Sequence, residues 1–209
     1  MGRGKSKHRP RNDASLYGGD YPFIQTGEVK EASSVIYITS YSQTYNEKGL
    51  AQSKLWEPKT LLITIAANIA ETAILTFPAC FPDSIIGFVA DSGQVSPEFI
   101  KYSIEQLKLK MQNVSKGTTQ DNLSQEKLRI FDFLVPDQVT VQAFIKATKP
   151  IFRQTQNLLQ KNYNLNKTRD LLLPKLISGE IDVESLEIES EGKAIVVEEV
   201  SEVREAIAV

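Results

Sequence analysis

The chain has few of the residues on which enzymatic chemistry usually depends. It contains one cysteine, Cys80, and one histidine, His8, among 209 residues. A single cysteine forms no internal disulfide and fits a reducing cytoplasm, and a single histidine gives no Cys/His cluster with metal-ligand spacing. The glycine patterns that bind phosphates and dinucleotides do not occur either. We therefore expect a binding protein with no catalytic residues, no metal and no other cofactor.

Long apolar runs are also missing. A membrane-spanning helix needs about 18 or more consecutive apolar residues, and the sequence has no such run. The first residues, MGRGKSKHRPR, lack the apolar stretch of a secretory signal. A hydrophobic content of 41% is nevertheless enough for a buried core. We expect a cytoplasmic protein that does not enter a membrane.

The net charge of −2 conceals an uneven distribution along the chain. Residues 180–209 hold ten acidic and two basic residues, whereas the remaining 179 residues hold 22 basic and 16 acidic ones. The N-terminal end of the chain is strongly basic. Such a segment is suited to bind phosphate groups, although composition alone favours a solvated, disordered tail. Five basic residues form that segment within the first eleven positions: Arg3, Lys5, Lys7, Arg9 and Arg11.

Short segments rich in β-branched and aromatic residues predict strands before residue 137. A capping hydroxyl, a proline and an acid at Ser96-Pro97-Glu98 predict the start of a helix that runs to about residue 112. A shorter helix is predicted over residues 123–128. The predicted strands are 21–25, 35–39, 60–66, 72–77, 85–89 and 130–135.

Residues 139–181 predict one long amphipathic helix. Its side chains at alternating spacings of four and three residues are typical of a helix that faces a second helix: Val141, Ile145, Thr148, Phe152, Thr155 and Leu159. A neighbouring row recurs every seven residues: Phe144, Ile151, Leu158, Leu165 and Leu172. A lone helix cannot bury so wide a stripe, so we expect either a coiled-coil partner or the core of an ordinary domain. Pro150 is expected to kink or split this helix.

These patterns together predict an α+β fold. A β-rich domain with a basic N-terminal arm is expected over residues 1–136. A coiled-coil-type helical spacer is expected over 137–182, and an acidic tail over 183–209.

Five motifs resemble, in their order, those of the specificity subunits of type I restriction–modification systems. They are residues 17–28 (YGGDYPFIQTGE), 58–64 (PKTLLIT), 116–124 (KGTTQDNLS), 133–136 (FLVP) and 168–181 (TRDLLLPKLISGEI). The chain departs from the family at residues 67–70 (ANIA), where members often have Gly-Thr-Ile-Gly. The resemblance covers about residues 2–183. Members usually have a further strand before the basic segment, so we expect either a natural half-subunit or a fragment of a longer chain.

The resemblance implies a non-catalytic target recognition domain that reads one half of a bipartite sequence in double-stranded DNA. It also implies a helical spacer that docks methyltransferase and restriction subunits. Full-length members carry two recognition domains and two spacers packed as an antiparallel pair. We therefore expect this helix to pair with a second specificity half-subunit, either a copy of itself or another half.

Candidate DNA-binding residues are the five basic residues of the N-terminal segment together with Tyr17 and a polar loop: Lys116, Thr118, Thr119, Gln120 and Asn122. Candidate partner-binding residues lie on the long helix: Phe144, Ile145, Ile151, Phe152, Leu158, Leu159, Arg169 and Lys175.

Each assignment has a structural alternative. The hydroxyl and amide groups of the loop are as well suited to cap turns as to bind DNA. Tyr17 is suited to pack half-buried in the domain. A second function also remains open: a solitary half-subunit that assembles through its helix without reading DNA.

Overall fold

The computed structural model describes residues 1–10, 12–90, 95–115, 123 and 125–181. Within these residues the β-strands are β1 (Gly2–Arg3), β2 (Tyr17–Phe23), β3 (Tyr37–Ile38), β4 (Gln43–Tyr45), β5 (Leu61–Thr64), β6 (Thr72–Leu75) and β7 (Ile85–Phe88). The helices are α1 (Thr26–Ser33), α2 (Glu47–Ala51), α3 (Pro97–Ser115), α4 (Gln125–Arg129) and α5 (Gln138–Ile177), with one 3₁₀ turn at Ala14–Leu16. The α+β prediction is confirmed. None of the described helices is both long and apolar enough to cross a bilayer.

The strands form two sheets. The larger sheet has the order β1-β7-β5-β6-β3, in which β3 and β6 are parallel and the other pairs antiparallel. The smaller sheet pairs β2 with β4. The predicted strands at 60–66, 72–77 and 85–89 correspond to β5, β6 and β7, the centre of the larger sheet.

Both faces of the larger sheet are buried, which explains why its strands are continuous apolar runs rather than alternating ones. Successive residues of a strand point to opposite faces. One face packs against α3 through Leu61, Ile63, Ile74, Ile86, Ile100, Ile104 and Met111. The opposite face packs against α1 through Leu62, Ala73, Leu75, Ile85, Val29 and Ala32.

Helix α1 was not predicted; only the end of a strand, at residue 25, was placed before it. The helix begins at Thr26 because the side chain of Glu28 accepts a hydrogen bond from the backbone N–H of Gln25 at 2.8 Å. Gln25 is the N-cap residue, and a glutamate three residues after the N-cap is a known signal of a helix start. Val29 and Ala32 then lie on one face and are buried.

The prediction of a strand at residues 130–135 is wrong. Phe131 and Phe133 do point toward the core, as a strand pattern requires, and they pack against the cluster beneath α3. Their neighbours Ile130 and Leu134 are exposed. The segment is irregular because its backbone pairs with no strand among the described residues.

Asp137 caps the start of helix α5: its Oδ1 accepts hydrogen bonds from the backbone N–H groups of Val139 (2.9 Å) and Thr140 (3.1 Å). A further hydrogen bond, from the Thr140 hydroxyl, is the main reason that the pKa of Asp137 is lowered. The helix is not split at Pro150, which lies on its exposed side.

One side of α5 packs on α3 of the same chain. The ring of Phe144 meets Phe99 edge-on with centroids 5.7 Å apart, and Phe152 stacks on Tyr102 at 6.3 Å. The partly buried positions follow the predicted spacing of four and three: Ile145, Thr148, Phe152, Thr155 and Leu159, after a fully buried Val141. The seam expected to face a second helix therefore faces the globular part of its own chain.

The chain divides into two compact units, Met1–Asn164 and Leu165–Val209. The division falls inside α5, because the first part of the helix packs on α3. The boundary between residues 136 and 137 stays a prediction. In the second unit the helix ends near Ser178. Gly179 follows with φ 73° and donates its N–H to Leu176 O. A glycine with a positive φ is a common way to end a helix. The predicted acidic tail, 183–209, lies outside the described residues.

Candidate nucleic-acid interface

The basic N-terminal segment is attached to the larger sheet. Gly2–Arg3 pair with β7, and the N–H of Gly4 then donates to Ile85 O at 2.9 Å. Glycine permits this close approach, since a Cβ at position 4 would lie 2.3 Å from Pro82 O. The expectation of a disordered tail is wrong for this segment, because sheet hydrogen bonds fix its backbone.

Gln52 provides a second attachment. Its Oε1 accepts the backbone N–H of Lys7 at 2.6 Å and that of His8 at 3.0 Å. The His8 ring is in turn bonded to Asp13, with Nε2 2.7 Å from Oδ2. Hydrogen bonds from Ser15, and then the one from His8, lower the pKa of Asp13 to about 2. The backbone of the segment is thus held in a fixed position beside the candidate site.

The five predicted phosphate-binding side chains differ in what they contact. The guanidinium groups of Arg3 and Arg9 donate to backbone carbonyl oxygens, two of them in the case of Arg9, at 2.7 and 2.8 Å. The side chains of Lys5 and Lys7 are exposed. Arg11 lies outside the described residues. Lys5 and Lys7 are therefore the members of the set best placed to reach a phosphate.

Tyr17 belongs to an aromatic cluster of the smaller sheet. Its ring centroid lies 6.0 Å from that of Phe23 and 5.1 Å from that of Tyr45, and those two rings stack at 4.1 Å. Tyr45 is fully buried, and burial raises the pKa of its hydroxyl to about 12. Tyr17 remains half-buried, so it combines the packing role with a position on the surface.

A cleft of about 580 Å³ lies beside the basic segment. One wall comes from that segment and the turn after it, and the others come from β2, β4, the start of α1 and the turn before β7. We call it the N-terminal cleft. It is lined by Ser6, Asn12, Ala14, Tyr17, Phe23, Gln25, Thr26, Gln43, Pro82 and Ser84.

The side chains that line the N-terminal cleft are suited to a ligand that carries phosphate groups and hydrogen-bonding base edges. Its lining contains amides and hydroxyls and no carboxylate among the described residues. Of two other clefts, one is lined by Glu28 and Glu31, and the other by Glu71 and Glu105 together with Lys30, Lys101 and Lys108. Carboxylates repel phosphates, and the N-terminal cleft is the one of these three whose described lining has none.

The predicted polar loop cannot be placed in this cleft, since Lys116, Thr118, Thr119, Gln120 and Asn122 lie outside the described residues. The next residue of the motif, Leu123, is fully buried and donates its N–H to Ile65 O at 2.9 Å. Leu123 itself therefore belongs to the core beside the end of β5.

The predicted partner-binding residues fall into two groups. Phe144, Ile145, Phe152 and Leu159 are partly buried within the first unit, whereas Ile151 and Leu158 are 63% and 52% exposed. In the second unit the two candidate charges are exposed and paired locally. The Arg169 guanidinium lies 2.7 Å from Asp170, and the Lys175 amine lies 2.5 Å from Glu180.

The comparison with family models decides the relationship. The model described as "Type I restriction modification DNA specificity domain" matches residues 3–170, well over half of the chain. The chain belongs to this family. The resemblance inferred from the five motifs is thereby confirmed, as is the prediction of a specificity component rather than an enzyme.

Curated relatives of this DNA specificity family extend the match. The chain is 27% identical over 176 residues to the type I restriction enzyme HindI specificity subunit of Haemophilus influenzae, which covers 82% of this chain and 38% of the relative. It is 28% identical over 182 residues to the MjaIX specificity subunit of Methanocaldococcus jannaschii, covering 85% of this chain and 41% of the relative. The chain thus spans about two fifths of the length of these relatives.

Solved structures agree on the fold of this DNA specificity domain. The HsdS subunit from Thermoanaerobacter tengcongensis is 14% identical and superimposes with a TM-score of 0.50, over 81% of this chain and 41% of that one. A chain from a study of complex assembly and conformational transition of the type I restriction–modification system is 16% identical. It has a TM-score of 0.51 over 82% of this chain and 42% of its own.

Sequence reasoning missed several side chains that line the N-terminal cleft: Asn12, Gln25, Thr26, Gln43 and Ser84. Gln43 was missed because no strand was predicted between residues 39 and 60. The alternation of Gln43, Thr44 and Tyr45, with only the tyrosine buried, was the available signal.

Proposed function

We propose that the chain recognises one part of a split sequence in double-stranded DNA and that the N-terminal cleft is the contact surface. The observation that carries this proposal is the combination of a fixed basic wall and a polar lining without carboxylates. Cations position a protein on the phosphate backbone, while amides and hydroxyls read base edges. The family match supports the same assignment.

Electrostatics assigns separate roles to the two parts of the surface. Lys5 and Lys7 are exposed and are the sequence neighbours of Ser6, which lines the cleft. We propose that they hold phosphate groups at its border. A duplex held by such lysines releases counterions, which makes its affinity fall steeply with salt. The amide and hydroxyl groups inside the cleft contribute the dependence on sequence.

A gel shift with a random pool of duplex DNA at two salt concentrations tests the DNA-binding proposal. We expect retention at the lower concentration, a steep loss at the higher one, and enrichment of a motif in the retained fraction. A chain that retains no duplex at low salt contradicts the proposal and favours the alternative, an interaction protein that assembles without reading DNA.

We further propose that the long helix assembles the chain into a larger complex. The partners are a second specificity half-subunit and the methyltransferase and restriction subunits of a type I system. In the first unit, Ile151 and Leu158 remain exposed although the opposite edge of the helix is packed. In the second unit, the exposed apolar residues are Leu165, Leu171, Leu172, Leu173, Leu176 and Ile177.

Such a density of exposed leucines is typical of an interaction surface. The helix of a second half-subunit would cover Ile151 and Leu158 by pairing along their spacing of seven residues. The exposed charges of Arg169 and Lys175 would remain at the border for the other subunits. The effect of changing the apolar row is treated in the Discussion.

A further inference from the structure

We propose that Gln25 and Gln43 act as one composite reader that selects adenine in the major groove. The inference rests on the proposed DNA-binding function and specifies which residues read a base and which base they read. Both side chains are exposed, both line the N-terminal cleft, and the Nε2 of Gln25 donates a hydrogen bond of 2.6 Å to the Oε1 of Gln43.

Glu28 holds the two glutamines in place. One carboxylate oxygen, Oε2, accepts the backbone N–H of Gln25 at 2.8 Å. The other, Oε1, accepts the backbone N–H of Ser42 at 2.8 Å and its hydroxyl at 2.9 Å. A single side chain thus ties the start of α1 to the residue that precedes Gln43. The glutamine pair is therefore preorganised before any ligand arrives, which reduces the entropy cost of binding.

The shared hydrogen bond determines what the pair presents to a ligand. An amide side chain carries two N–H donors and a carbonyl oxygen with two lone pairs. After one donor and one lone pair are used in the shared bond, the N–H groups of Gln43 remain available to a ligand. The carbonyl of Gln25, which also faces the backbone N–H of Glu28 in the capping box, has its second lone pair available. If both amides were turned over, the remaining donor and acceptor would exchange residues. The pair would still offer one of each.

A donor beside an acceptor matches one base better than the other three. Adenine presents an acceptor, N7, next to a donor, N6–H₂, on its major-groove edge. Guanine presents two acceptors there, cytosine a donor, and thymine an acceptor with a methyl group. A single glutamine that binds adenine through two hydrogen bonds also donates to N7 and accepts from N6–H₂. Here the two groups come from two residues held by one carboxylate.

The test begins with the motif that the wild-type chain enriches from a random duplex pool. Gln43→Ala is expected to reduce the preference for adenine at one position of that motif about ten- to a hundredfold, and to leave the other positions unchanged. Gln43→Glu still accepts the hydrogen bond from Gln25 but replaces the amide donors by carboxylate oxygens. It should lose the same preference. Gln142→Glu, at an exposed position on α5, is the matched control and should keep the wild-type motif.

A chemical probe separates reading from a merely structural role. Replacing the adenine by 7-deazaadenine removes the N7 acceptor and keeps Watson–Crick pairing. We expect this change to weaken DNA binding by the wild type about tenfold and to leave DNA binding by the Gln43→Ala variant unchanged.

Equal losses in the two proteins would overturn the inference, as would an unchanged motif in Gln43→Ala. Those results would leave the proposed DNA-binding function intact. A wild-type chain that enriches no motif would overturn both.

Discussion

Replacing Ile151 and Leu158 by glutamate is expected to convert a paired protein into a monomer. Wild type should show, at micromolar concentration, twice the 23.3 kDa mass of one chain in light scattering. Each glutamate would place an unpaired charge in an apolar contact, which costs several kcal/mol. We expect the dissociation constant of the pair to rise about a hundredfold or more.

The control for this experiment adds the same two charges elsewhere on the helix. Gln142 and Asn157 are exposed and polar, and neither is three or four residues from Ile151 or Leu158. Gln142→Glu with Asn157→Glu should keep the wild-type mass. A wild type that is already a folded monomer, or a control that dissociates equally, would contradict pairing through this row.

Replacing Lys5 and Lys7 by alanine is expected to weaken binding to every duplex alike. If each lysine contacts one phosphate, the slope of log affinity against log salt should become shallower by about 0.9 per lysine. The affinity at low salt should fall roughly tenfold or more, while the enriched motif stays the same. A gel shift titration at several salt concentrations measures both quantities.

Two features make this comparison specific. The backbone hydrogen bonds that fix the segment, from Lys5 N to Phe81 O and from Lys7 N to Gln52 Oε1, survive substitution by alanine. Lys146→Ala with Lys149→Ala removes the same charge from exposed positions on α5. If this second pair changed the slope as much as the first, the loss would reflect overall charge rather than contact at the cleft.

The sequence predicted the buried elements well and their partners less well. Strands β5, β6 and β7 follow from apolar runs that leave few alternatives. The seam of α5 was also recognised by its spacing, from Val141 to Leu159. Periodicity shows that a face is covered and does not show by what. It therefore left open a coiled-coil partner and the core of an ordinary domain, and the seam lies on α3 of the same chain.

The candidate site shows a similar division. The basic segment was found from composition, yet its fixed position depends on Gly4 and on Gln52, which lie 48 residues apart in the sequence. Gln25 and Gln43 become neighbours because Glu28 bonds both of their segments. The bond from Gln25 to Glu28 has a local pattern, but those from Ser42 to Glu28 and from Lys7 to Gln52 depend on tertiary packing. Of the predicted polar loop, residues 116–122 remain a prediction.

The most direct test of the N-terminal cleft as the DNA-binding surface is site-specific photo-crosslinking. The photoreactive residue p-benzoylphenylalanine would replace either Asn12, which is exposed in that cleft, or Tyr41, which lines the cleft containing Glu28 and Glu31. Each protein would be irradiated with the duplex that wild type enriches. We expect crosslinks from position 12 and few from position 41; equal crosslinking, or crosslinks from position 41 alone, would contradict the assignment.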